Sequence, residues 1–219
     1  MDKPVINILT RTSNRPTGFD VNVKSISGQT YDNINHIVAY DNDADLEYIN
    51  KYDGLKFVKI DREKLIEEDT SVDPRTGKYS PHNLYFNEMI KHVEEGWVIY
   101  LDDDDRFMHN RVIEQIVKEI NKCDEDTLLV WRFKLGHSLI LPTEFDDDNP
   151  PRIGRIGGSC MGFHTKYNHL AEWDAWKCSD FRVIDRLYKG IPKHKFIKKL
   201  YVYAPIPGSG DKKDIPQDI

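Results

Sequence analysis

Apolar and polar positions in the first half of the chain alternate between two patterns. Short β-branched or aromatic runs, at Val5–Leu9, Ile34–Tyr40, Leu55–Ile60 and Trp97–Leu101, are each bounded by polar punctuation, as strands are. Around them apolar residues recur at helical spacing: Phe19, Val23 and Ile26 up to the natural stop at Gly28; Phe86, Met89, Ile90 and Val93; and, after the fourth run, Val112, Ile113, Ile116, Val117 and Ile120. This alternation predicts βαβ units, an α/β fold with a mainly parallel central sheet flanked by helices. The second half changes character. Strand-like Leu128–Phe133 and Ser138–Leu141 lead to an acidic, Pro-rich loop (Glu144–Pro151) and a glycine-dense stretch (Gly154–Gly162). A helix over Ser179–Tyr188, with Phe181, Ile184 and Leu187 on one side, precedes a last strand at Leu200–Ala204. We expect this half to continue the sheet with mixed pairing. One domain over 1–219 is predicted, with halves 1–105 and 106–205 and a polar tail 206–219.

Composition agrees with a globular domain. At 219 residues, 39% hydrophobic and 31% charged, the chain can bury a core under a charged surface, which excludes a disordered tail. With 31 Lys+Arg against 37 Asp+Glu the net charge is −6, the wrong sign for a nucleic-acid binder. Cys123, Cys160 and Cys178 match neither a disulfide framework nor a CxxC zinc pair and read as free thiols of a reducing compartment. No basic leader opens the chain and no window offers about 18 apolar residues, so no membrane span is expected and the location expected is cytoplasmic.

Three clusters could carry chemistry. Asp102, Asp103, Asp104 and Asp105 follow the apolar run Trp97–Leu101 directly. Adjacent carboxylates repel, and the carboxyl end of a parallel strand is where α/β sheets bind ligands, so a hard cation, Mn²⁺ or Mg²⁺, shared with a substrate's phosphates suits them. The alternative is an acidic loop capping the next helix. Thr10-Arg11-Thr12-Ser13-Asn14-Arg15-Pro16, at the end of the first strand, supplies hydroxyls, an amide and two guanidiniums suited to a nucleotide. It has no glycine, so neither a dinucleotide fingerprint nor a phosphate loop is present. Its alternative is a strand-to-helix loop with Ser13 or Thr17 as cap. Asp41, after the second strand, could accept from a base or ribose, or sit beside an Asx turn of Asn42 and Asp43.

In this order, a TRTSNRP-like loop, an aspartate after the second strand and a strand leading into Leu-Asp-x-Asp-Asp, the chain resembles the GT-A fold glycosyltransferases of family 2 type, over roughly residues 4 to 205. The resemblance identifies Asp102-Asp103-Asp104 with the DxD motif, Asn87 with an asparagine in the helix before that strand, and Ser179-Asp180 with the family's acidic segment. In opening sequence the chain is also similar to glycosyltransferase domains of large DNA viruses of green algae, which would place it in host cytoplasm.

The resemblance implies a UDP-sugar donor, a glycan or glycoprotein acceptor, and inversion with Asp180 as base. It implies Asp104 and Asp102 as metal ligands, with Asp105 behind them. Thr10, Arg11, Thr12, Arg15, Asp41, Asn87, Asp102 and Asp103 would line the nucleotide-sugar side. Arg11 could instead neutralise the acidic cluster in the empty enzyme, and Asp180 could be a helix N-cap. The chain departs from the family in two places. Phe86 stands where an arginine often precedes the helix asparagine, leaving a phosphate contact to Arg11, Arg15 or Lys78, and Val202–Gly210 lacks the late metal-binding histidine, leaving His164 or His194. Trp173 or Trp176 could stack on a sugar, the Gly154–Ser159 stretch could let backbone approach a ligand, and Lys193–Lys195 with Lys198 and Lys199 reads as a solvated face. A sugar nucleotidyltransferase and a non-catalytic sugar- or cation-binding module on the same fold are the rival readings.

Overall fold

The computed structural model describes residues 3–205; the expected polar tail 206–219 lies outside the described residues. The strands β1 (Ile6–Arg11), β2 (Ile34–Tyr40), β3 (Leu55–Lys59) and β4 (Trp97–Tyr100) are all parallel, in the order β3-β2-β1-β4. β1 is central and buried from Ile6 to Thr10. Such a strand has no polar face, so its sequence is mostly apolar, and its two buried polar residues, Asn7 and Thr10, donate to backbone carbonyls. Helices cover both sides of this half. α1 (Pro16–Ser27) and α2 (Leu46–Ile49) form a cluster with Val38 and Tyr40 through Phe19, Val23 and Tyr48, whereas α4 (Tyr85–Ile90) packs with the alternate residues Ile37 and Ala39 in the main core. A further helix, α3 (Arg62–Glu68), is short and has no buried residue.

Beyond β4 the sheet becomes mixed, as expected, and continues β8-β6-β9-β5 with β7 paired to β6. β8 (Met161–His164) runs antiparallel to β4, and β6 (Thr127–Leu135) antiparallel to β8; β9 (Lys193–Ala204) is parallel to β6. β5 (Arg106–Phe107) pairs with the end of β9, and β7 (Leu139–Leu141) is short. α5 (Val112–Ile120) buries the stripe Val112, Ile113, Ile116, Val117 and Ile120 that its periodicity predicts. α6 (Ser179–Gly190) buries Val183, Ile184 and Leu187, with Phe181 half-buried.

Lys193–Lys195 with Lys198 and Lys199 lies at the start of β9, where Lys193, Lys198 and Lys199 are exposed as expected, Lys193 pairs with Asp124 and Lys195 with Glu119. Two expectations are corrected here. The acidic run does not cap a helix: it turns from β4 into β5, and α5 begins at Val112 with Arg111 as its N-cap. Neither Ser13 nor Thr17 is the N-cap of α1, a position held by Arg15 ahead of Pro16.

Candidate active site

The acidic turn sits at the carboxyl edge of the parallel strands, held from beneath by a residue without any motif. Asn22, fully buried on α1, donates from Nδ2 to the carbonyls of Asp102 (2.8 Å) and Asp105 (2.9 Å). Thr10, equally buried, donates to the Leu101 carbonyl (2.8 Å) and meets His36 Nε2 at 2.9 Å. Ser159 donates to Asp105 Oδ2 at 2.5 Å, tying the glycine-dense stretch to the turn. Asp105 therefore faces inward, and burial, reinforced by Asp104 and Asp102, raises its pKa well above the carboxylate range.

The other three carboxylates face two guanidiniums. Arg11 forks Asp102, Nε to Oδ1 at 2.7 Å and Nη2 to Oδ2 at 3.1 Å, and donates from Nη1 to Asn83 Oδ1 at 2.8 Å. Its guanidinium lies 4.7 Å from the centre of the Phe86 ring and 5.9 Å from that of Trp173. Phe86, standing where the family has an arginine, thus serves as the platform for a guanidinium delivered from β1. Arg15 Nη1 is 3.0 Å from both Asp103 Oδ1 and Asp104 Oδ2. Burial opposes its charge, yet Asp103 and Asp104 hold its pKa above the ordinary value. Burial pushes Asp103 up to about 7 against the pull of Arg15, and raises Asp104 with the help of Asp102.

These groups open onto a cavity of about 310 Å³, whose lining includes Arg11, Thr12, Arg15, Asp102 to Asp105 and Asp180. Asp180 lies in the first turn of α6; the N-cap position belongs to Cys178, in the left-handed conformation at φ 64°, so Asp180 is not the N-cap of this helix. Its Oδ1 accepts from the Phe181 N–H at 2.8 Å. Burial raises the Asp180 pKa, with that N–H opposing and Asp102 adding to the rise. Gly157 and Gly158 line the same cavity, and a Cβ on Gly158 would stand 3.2 Å from the Trp173 ring and 3.8 Å from Asp180 Cβ. A side chain at Gly158 is accommodated only if the Trp173 ring gives by a few tenths of an ångström.

Thr10, Asp41 and Asn87 are not among the residues lining the cavity. Thr10 supports the turn. Asp41 stands one layer behind, accepting from Tyr85 Oη (2.7 Å) and Arg62 (3.4 Å), and it is Tyr85 and Arg62 that reach the cavity. Asn87 clamps the Trp173 backbone, donating to its carbonyl (2.7 Å) and accepting from its N–H (2.8 Å). Trp173 lines the cavity and Trp176 does not; nor do His164 and His194, the candidate further metal ligands. Asn22, Asn83, Arg62 and Tyr85 escaped the sequence reading. Each is an isolated residue with no spacing signature, and only the fold brings it to the site.

The donor set fits a hard cation. It is all oxygen, its carboxylates crowd one another, and the buried Asp103 Oδ2 has no hydrogen-bond partner. Among the described residues no group of three His, Cys, Asp or Glu is arranged to hold a metal.

No protein-family model matches the sequence, and no curated protein matches it. Solved structures do. TarS of S. aureus superposes with a TM-score of 0.71 at 15% identity, over 92% of this chain and 37% of TarS. TarS 1–349 in complex with UDP-GlcNAc gives 0.69 at 18% identity, over 91% of this chain and 58% of that one. The mannosyltransferase PcManGT from Pyrobaculum calidifontis, in complex with GDP-Man and Mn²⁺, gives 0.64 at 12%, over 94% and 58%. The fold is that of the GT-A-like glycosyltransferases. The chain spans between 37% and 58% of the length of these three.

Proposed function

We propose that the chain transfers a sugar from a nucleotide-diphosphate donor, a UDP-sugar, to a hydroxyl of a glycan or glycoprotein acceptor, with inversion. The observation that carries this reading is the convergence of Asp102, Asp103, Asp104 and Asp180 on one cavity at the carboxyl edge of the parallel strands. UDP-GlcNAc and UDP in TarS 1–349 support the choice of nucleotide, and GDP-Man with Mn²⁺ in PcManGT supports a divalent cation, Mn²⁺ or Mg²⁺.

Asp104 and Asp102 would hold the cation, which when bound stabilises negative charge growing on the departing diphosphate. Arg11 keeps the Asp102 carboxylate in one orientation, leaving Arg15 as the guanidinium nearest to where a diphosphate enters. Thr12, Arg62 and Tyr85 present polar groups for the nucleoside, with Asp41 fixing the last two. The Gly157–Gly158 backbone and the Trp173 ring bound the space beside Asp180. There the Asp180 carboxylate accepts the proton of the acceptor hydroxyl as it attacks, and its raised pKa strengthens it as a base.

A panel of nucleotide-sugars tested by thermal denaturation, with and without Mn²⁺, checks the reading, because a ligand that binds only the native state raises its stability. A UDP-sugar should raise the midpoint in the presence of Mn²⁺, and the same mixture should release UDP when the acceptor is supplied. A panel in which no nucleotide-sugar shifts the midpoint would overturn it.

A further inference from the structure

Arg15 occupies Asp104, one of the two carboxylates proposed to hold a cation, together with its neighbour Asp103. Its backbone is fixed as the N-cap of α1, with Pro16 following and its carbonyl accepting from the Phe19 N–H at 3.0 Å. Its side chain is only 12% exposed, and a single nitrogen, Nη1, bridges Asp103 and Asp104 at 3.0 Å each, carboxylates that are themselves 5% and 18% exposed. A divalent cation entering alone sets its charge against the Arg15 guanidinium and must displace its bridge to Asp104. A cation arriving with a nucleoside diphosphate, which brings about two to three negative charges of its own, gives the displaced guanidinium new oxygens to fork.

We propose that Arg15 is a positioning residue that makes cation binding conditional on the nucleotide, bridging Asp103 and Asp104 in the ligand-free protein and passing to the donor's diphosphate when cation and donor bind together. The proposal rests on the reading of Asp102 and Asp104 as cation ligands. Because binding couplings are reciprocal, the cation then tightens UDP by the same factor as UDP tightens the cation.

Titration with Mn²⁺, followed by the electron paramagnetic resonance of the free ion, with and without UDP, tests this on the wild type, Arg15→Gln and Arg15→Lys, each first shown folded by circular dichroism. For the wild type, UDP is expected to tighten Mn²⁺ at least tenfold. Arg15→Gln should bind Mn²⁺ alone at least tenfold more tightly than the wild type, and the factor by which UDP tightens Mn²⁺ should shrink to the share owed to phosphate oxygens on the cation itself. Arg15→Lys, which keeps a charge but not the planar fork, should fall between them, and it decides the matter if the glutamine variant does not fold: tighter Mn²⁺ binding than the wild type supports the proposal and unchanged binding overturns it. Unchanged or weaker Mn²⁺ affinity in folded Arg15→Gln, with UDP coupling intact, overturns the proposal and leaves the cation site standing. Absence of Mn²⁺ binding to the wild type, with or without UDP, overturns the cation site and the proposal with it.

Discussion

At the scale of single residues, Asp180 carries the sharpest consequence of the account. As a first-turn acid of α6 it contributes about 0.3–1 kcal/mol to the helix through the dipole; as a positioned base it contributes roughly 10²- to 10⁴-fold in rate. Asp180→Asn removes the proton acceptor and keeps the shape. The variant should fold, bind UDP nearly as the parent does, and transfer sugar at least about a hundredfold more slowly in a steady-state assay. Burial raises the Asp180 pKa, and the role of base proposed for it requires the anion. The kcat/KM of the parent should therefore fall with decreasing pH through an acidic limb lying above the ordinary carboxylate range, and because Asp103 and Asp104 are raised as well, Asp180→Asn should change the shape of that limb rather than abolish it. Legibility was uneven at this scale. Asp102 to Asp105 were readable because four carboxylates behind an apolar run have few uses. Asp41 and Asn87 came from order and spacing, which locate a residue along the chain but not the layer it occupies, and both stand behind the cavity wall, holding Tyr85 and Trp173.

Among the elements, three of the four parallel strands were legible for a physical reason: β1, β2 and β4, largely buried in the sheet, are mostly apolar, with Asn7, Thr10 and His36 as buried polar exceptions, whereas β3 at the sheet edge is largely exposed. The strands that hid are those whose surroundings permit other residues. β5 is two residues long, β8 contains Gly162 pressed against the Trp131 ring, and the first part of β9 carries lysines that find partners on neighbouring segments. The approach to β4 yields a prediction. Gly96 has φ +89°, and a Cβ there would meet the Val5 carbonyl oxygen at 2.2 Å, at the point where Trp97 N–H bonds to that carbonyl at 2.9 Å. Gly96→Ala should destabilise by about 1–3 kcal/mol from the backbone conformation alone, and by more once β1 and β4 are pushed apart. Urea denaturation reads this directly, as a lowered midpoint with the slope retained. Gly158→Ala should behave in the opposite way. Its Cβ meets the Trp173 ring at 3.2 Å at the cavity wall, so the loss should appear in sugar transfer, with a midpoint close to that of the parent.

For the molecule as a whole, the α/β class, the parallel half and its mixed continuation were legible from periodicity, and the named fold came from the resemblance. The closing of the site was not legible, because it depends on residues 80 to 180 returning to the edge formed by residues 10 to 15. Tyr79 bridges to Trp176, Asn83 donates to the Trp176 carbonyl at 3.1 Å, and Asn87 holds Trp173. Such contacts join segments about ninety positions apart, and nothing local signals them. They bring the two halves of the chain around one cavity, and the activity proposed for it is cation-dependent binding of a nucleoside diphosphate at Asp102 and Asp104. Isothermal calorimetry with UDP tests that claim most directly, on the parent protein in Mn²⁺, on the parent in EDTA, and on Asp104→Ala in Mn²⁺. The account predicts binding in the first case and its loss, by at least tenfold, in the other two. UDP affinity that is the same in all three would contradict it.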